Sequence, residues 1–286
     1  MERFKYSELL QFLSGFDPWL LEIGMTPRAD DRIHQAFKVL RKAEEASSRG
    51  RATGVYSEIQ PEDWFPIVEA LEAYNIYTAF HQDSPPVPAE TLKRAFSGPL
   101  QPMEENQKNR DGRNIWFELA LAAEWKLRDA SVSLGEPDLR LTRDGILFLV
   151  SCKRPASEEG IDANFRAAIK QLQANLDTVP VGTYGVAAIS LNCIFNPGDK
   201  VFSGEMNQLK VLLDNEFAKR EEYLLSINDP RICCVLFHLA TPSLGEEIMD
   251  LIRASYTLAW DLDRPSIGSK IFREHAADMR TNARMR

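Results

Sequence analysis

Within GEPDLRLTRDGILFLVSCKRP, residues 135–155, a carboxylate precedes one apolar run and an amine follows another. Asp144-Gly145 between them predicts a two-residue hairpin turn, because both central positions of that turn need positive φ and Asp-Gly tolerates it. Pairing Arg143 with Ile146 sets Asp138 opposite Ser151 and Glu136 opposite Lys153. Side chains directly opposite share a face, with Cβ atoms about 5 Å apart, so Asp138, Ser151 and Lys153 are expected to converge. A four-residue loop keeps that parity, whereas a three-residue loop with a bulge breaks it. Period two also separates Ile146, Phe148, Val150 and Cys152 from Leu147, Leu149, Ser151 and Lys153. The second face thus turns polar at its end, where it meets Asp138.

A second acid stands out in NIWFELALAAEW. From Ile115 to Ala123 every residue except Glu118 is apolar, which predicts a helix buried nearly all round. An isolated buried carboxylate is costly, so Glu118 needs a cation, a metal or a hydrogen-bond network. Arg113 and Arg140 are candidate structural partners. Glu124 has Arg128 at i+4, and a surface ion pair accounts for it.

The elements that must position these groups follow from periodicity. Residues 1–100 read as helical, with apolar periods in Tyr6–Phe16, Ile33–Ala46, Pro61–Phe80 and Ala89–Phe96. Pro85-Pro86-Val87-Pro88, Gly98-Pro99 and the polar run from Glu104 to Arg113 mark a connection, placed at 101–113. Residues 114–268 then alternate. Asn114 caps a helix to about 128; strands follow at 137–142 and 146–153, a helix at 162–177, a strand at 184–194, a charged helix at 204–226 and a strand at 231–239. Helices bracketing a mixed sheet make an α/β sandwich. Residues 269–286 carry Lys270, Arg273, Arg280, Arg284 and Arg286, and read as a basic, solvated tail.

Bulk properties narrow the chemistry. The 286 residues are 44% apolar, enough for a substantial core. A net charge of −8 gives no global basic field, so any nucleic-acid contact must be local. Apolar runs such as 146–150 are too short for a membrane span, and the start of the chain lacks a secretory apolar region, which predicts a cytoplasmic protein without membrane contact. Cysteines 152, 193, 233 and 234 have no CxxC spacing and fall in expected strands, so they read as reduced core thiols. Histidines 34, 81, 238 and 275 form no HExxH. Carboxylates, lysine and hydroxyls must carry any reaction.

A helix bearing Glu118, then Glu136-Pro137-Asp138, then a hairpin return ending in Ser151-Cys152-Lys153, then a helix and a strand: this order resembles the PD-(D/E)XK nuclease superfamily, most clearly over residues 114–194. The resemblance implies a restriction-endonuclease-like mixed-sheet α/β sandwich, preceded here by a mainly helical region. It implies Mg²⁺ or Mn²⁺ held by Asp138 and by the backbone carbonyl of Cys152, with Lys153 orienting or activating water. Ser151 stands where the family has an acid. A neutral hydroxyl is a poor magnesium ligand, so Glu118 is the candidate replacement, with Glu158, Glu159 and Asp162 behind it. Arg154 adjoins the site and could meet a phosphate, Arg166 and Lys170 could line a phosphate track, and Gln171 or Gln173 matches a glutamine that exonuclease-type members place near the site. The expected function is metal-dependent hydrolysis of nucleic acid, with DNA the expected substrate; the alternative is a degenerate site that only binds nucleic acid or protein. Cutting both strands at once needs a pair of sites, which makes a homodimer an expected assembly.

Overall fold

The computed structural model describes residues 6–49, 60–128, 130–198, 200–203, 206–244 and 251–261. Four helices come first: α1 (Tyr6–Glu22), α2 (Arg32–Arg49), α3 (Pro61–Phe80) and α4 (Ala89–Ala95). Their positions agree with the apolar periods in the sequence. Helix α5 (Asp111–Lys126) begins three residues before Asn114, so Asn114 lies within the helix and does not cap it. Gly112 permits this start, because a Cβ there would lie 2.2 Å from the Ser97 carbonyl oxygen and 2.9 Å from that of Arg94. The close approach seats the beginning of α5 against the end of α4.

Three antiparallel strands follow, β1 (Ser131–Leu134), β2 (Leu139–Arg143) and β3 (Ile146–Lys153), then α6 (Ile161–Leu176) and β4 (Tyr184–Ser190). The chain continues through a short helix α7 (Asn192–Phe195), β5 (Phe202–Ser203), α8 (Met206–Lys219), α9 (Glu221–Leu225), β6 (Ile232–Leu244) and β7 (Leu251–Asp261). The strands form one seven-stranded mixed sheet, ordered β1-β2-β3-β4-β6-β5, with β7 on the other edge of β6. β4 runs parallel to both β3 and β6, and β7 is antiparallel to β6.

The structure corrects several sequence expectations. β1 is an additional strand, whose four residues give too little alternation to read, and β7 is another that the sequence reading does not include. The helix expected at 204–226 is two helices parted at Arg220, whose backbone leaves the helical region (φ −118°, ψ 9°). The strand expected to reach residue 194 ends at Ser190, so Cys193 lies in α7. Cys152, Cys233 and Cys234 are buried thiols outside any disulfide, and Cys193 is a half-buried one. The basic tail at 269–286 lies outside the described residues.

The two sheet faces bury different partners. Phe148, Val150, Cys152, Val186, Ala188 and Leu236 join α5 and the N-terminal helices in one continuous core. Leu149, Ala187, Ile189, Val235 and Phe237 pack instead under α6 and α8. The division of β3 into these two sets follows the alternation read from sequence. The core does not divide at 101–113: Pro102, Gly112 and Arg113 are buried there, and α3 packs against α5 across the segment. No helix among the described residues is long and apolar enough to cross a membrane.

Candidate metal and phosphate site

Asp144 and Gly145 have φ values of 51° and 77°, the paired positive angles of a two-residue turn. Arg143 pairs with Ile146 and Leu139 with Val150, as the turn requires. The ladder ends there, while β3 runs on to Lys153. At this notch Asp138 bends its carboxylate under the projecting strand end. Its Oδ2 accepts the Cys152 backbone N–H at 2.6 Å and Lys153 Nζ at 3.2 Å. The Ser151 hydroxyl, fully buried, lies 3.3 Å from the same oxygen and donates to Gln171 Oε1 at 2.8 Å.

Gln171 reaches in from α6 and locks the arrangement. Its Oε1 also accepts Lys153 Nζ at 2.7 Å, and its Nε2 donates to the Pro137 carbonyl at 3.0 Å. Lys153 Nζ further donates to the Cys152 carbonyl at 2.9 Å. Every ammonium hydrogen therefore has an acceptor. Asp138 Oδ1 forms no hydrogen bond among the described residues, and neither Glu136 nor Gln173 joins the cluster.

Glu118 approaches from α5. It lines, with Asp138, Cys152 and Lys153, a cavity of about 320 Å³. Among the described residues it makes no hydrogen bond or ion pair. Arg113 pairs with Glu69 and Glu105, and Arg140 donates to the Glu136 carbonyl, so neither candidate arginine neutralises it. Burial first, then the charge of Asp138, push the Glu118 carboxyl up to about 7, against a smaller opposing pull from Lys153. Burial and the same two acids hold the Cys152 thiol well above its usual range, which removes it as a thiolate ligand.

These groups suit a hard divalent cation. Asp138 Oδ1, Glu118 and the Cys152 carbonyl are oxygen donors, and Mg²⁺ takes one or two carboxylates with water and phosphate completing its shell. An elevated carboxyl pKa marks a place short of positive charge, which a cation supplies. No set of three His, Cys, Asp or Glu side chains is grouped for a metal among the described residues, so the donor set depends on a backbone oxygen. Ser151 cannot extend it, since its hydroxyl is neutral and already engaged.

The remaining expected residues part company. Arg154 lines the cavity but is buried and bound to Glu105 at 2.6 Å, so it forms a wall and is not a free phosphate ligand. Arg166 and Lys170 are exposed on α6 and do not line the cavity. Glu158 pairs with Lys219, Asp162 with Arg220, and Glu159 is exposed; none replaces Glu118. Glu124 is buried, correcting its reading as a surface partner of Arg128. Arg94, Arg110, Asn114 and Asn164 also line the cavity, and sequence reasoning does not single them out. Their signal is present only in part: Arg110 and Asn114 stand eight and four residues before Glu118, a row that is hidden if the helix is taken to begin at Asn114.

No protein-family model matches this chain, and no match was found among curated proteins or solved structures.

Proposed function

We propose that the protein is a metal-dependent nuclease of restriction-endonuclease-like type, hydrolysing phosphodiester bonds of nucleic acid, with DNA as the favoured substrate. The reading rests on one observation: a single cavity gathers Asp138, Lys153 and a Glu118 that forms no ion pair among the described residues. The order α5-β1-β2-β3-α6-β4, antiparallel through β3 and parallel at β4, supports it.

Asp138 Oδ1, Glu118 and the Cys152 carbonyl would hold Mg²⁺ or Mn²⁺. When bound, the ion supplies Lewis-acid polarisation of a phosphoryl oxygen and a lowered pKa for coordinated water. The chain's own groups do the rest. Lys153, fixed by Asp138 and Gln171, presents its charge where negative charge develops on phosphate, and its acceptors keep it from rotating away. Gln171 and Ser151 position Lys153 without touching the reacting atoms.

The test is cleavage of end-labelled single- and double-stranded DNA in Mg²⁺, Mn²⁺ or EDTA, with wild type and Asp138→Asn. Metal-dependent cleavage lost in the variant, with circular dichroism unchanged, supports the reading; cleavage that survives either EDTA or the substitution overturns it. One observation favours a second reading, a degenerate site serving binding alone: the slot for the second acid holds a buried, hydrogen-bonded serine. That reading expects nucleic acid to be retained equally with and without metal.

A further inference from the structure

Arg110, Asn114 and Glu118 recur at four-residue spacing along α5, and all three line the cavity. Arg110 immediately precedes the helix but already has helical angles (φ −81°, ψ −12°), and its carbonyl accepts the Asn114 N–H at 3.2 Å. A rise of 1.5 Å per residue puts neighbours in this row about 6 Å apart and its ends about 12 Å apart.

Among the described residues, none of the three finds a full set of partners. Asn114 Oδ1 is a buried acceptor without a hydrogen-bond partner among the described residues. Arg110 is half-buried and, like Glu118, forms no hydrogen bond or ion pair among the described residues. The other cavity cations differ: Arg94 pairs with Asp111 at 2.9 Å, Lys153 with Asp138 at 3.2 Å and Arg154 with Glu105 at 2.6 Å. The buried Asn114 Oδ1 carries a free-energy cost that a complementary ligand removes, and the half-exposed Arg110 guanidinium is available to an anion. Here the complement is anionic at the Arg110 end and polar beside Asn114.

We propose that this face of α5 is the track for one strand of nucleic acid: the scissile phosphate at the Glu118 end, the sugar or base beside Asn114, and a further phosphate on Arg110. The inference rests on the nuclease reading and adds to it a substrate form and two binding residues. A cavity of about 320 Å³ sits at the small end of ligand sites, which span about 300–1,000 Å³. It has room for a short stretch of one strand, and a paired second strand would lie outside it.

Fluorescence anisotropy with end-labelled oligothymidylates of two, four and eight nucleotides, in Ca²⁺ to hold off cleavage, tests the track. Affinity should rise from two to four nucleotides. Arg110→Gln should weaken the longer two about tenfold, the effect of removing one charge-assisted hydrogen bond, and leave the dinucleotide unchanged. Its salt dependence should be shallower by about 0.7 in log–log slope, as expected when one phosphate of a single strand is no longer neutralised. Arg110→Lys, which keeps the charge, should recover most of the affinity. Equal binding by Arg110→Gln and wild type at every length overturns the track, as does a duplex that competes as well as a single strand, or no binding by wild type. Binding that depends on Arg110 without cleavage in Mg²⁺ keeps the track and removes the nuclease; cleavage indifferent to Arg110 does the reverse.

Discussion

Two groups of charge beside helix α5 obey opposite rules. In the first, Arg32, Glu69, Arg113, Glu105 and Arg154 form an unbroken chain of ion pairs from the helical layer to the cavity wall, with Arg113 at 2.8 Å from Glu69 and 3.1 Å from Glu105. Burial pulls Arg32 down to about 10. Burial acts the same way on Arg113, but Glu69 and Glu105 outweigh it and leave its pKa raised. Backbone carbonyls of Ala95 and Leu100 take further guanidinium hydrogens, and Arg32 stacks over Trp116 at 5.2 Å. In the second, Glu118 has no partner among the described residues and carries an elevated pKa. Complete pairing identifies the first group as architecture that ties the helical layer to the end of β3. Incomplete pairing in the second is what the proposed ligand site offers a cation or anion.

Substitutions should separate the two groups cleanly. Asp138→Ala should lower metal-dependent cleavage at least about 10³-fold, the scale of removing a main electrostatic group from a reacting centre, while the unmet Cys152 N–H costs about 1–3 kcal/mol of stability. A larger loss of stability would place Asp138 with the architectural chain. Glu69→Ala should do the opposite. It strands Arg32 without a carboxylate and leaves Arg113 with Glu105 alone, at a cost of about 3–5 kcal/mol, which urea unfolding measures. Lys153→Ala should cut the cleavage rate about 10²-fold while titration calorimetry still detects Mg²⁺ binding.

A smaller effect sharpens the contrast through pH. With a folded pKa near 7 against an ordinary 4.5, the folded chain holds the Glu118 proton more tightly than the unfolded chain. Metal-free stability should therefore fall as pH rises from about 4.5 to about 7. Glu118→Gln should remove that slope, adding about 2 kcal/mol at pH 8 and nothing at pH 4; partial solvent contact keeps this below the full shift. Thermal or urea unfolding at both pH values in EDTA checks it. Arg166→Ala and Lys170→Ala should change stability by under about 0.5 kcal/mol, since both side chains are exposed.

Local signals make much of the site readable. Asp-Gly fixes the turn, period two fixes which residues of β3 share a face, and these together bring Asp138, Ser151 and Lys153 to one place. Glu118 is visible as one acid in an apolar helix. Gln171 is not distinguishable in sequence from any other glutamine on α6, because its role comes from where that helix crosses the end of β3. Arg154 misleads for the same reason. A basic residue beside Lys153 suggests phosphate, but its anion, Glu105, arrives from a segment 49 residues earlier.

The sequence by itself determined the N-terminal helices, the hairpin and its register, since each depends on neighbours a few positions apart. Only the tertiary structure decided which charges are satisfied. An ion pair needs two groups at about 3 Å, and partners such as Glu69 and Arg113 meet through the packing of α3 on α5, which no local pattern encodes. The same packing decided the row Arg110, Asn114 and Glu118, by starting α5 against the carbonyls at the end of α4 and turning those side chains toward the cavity.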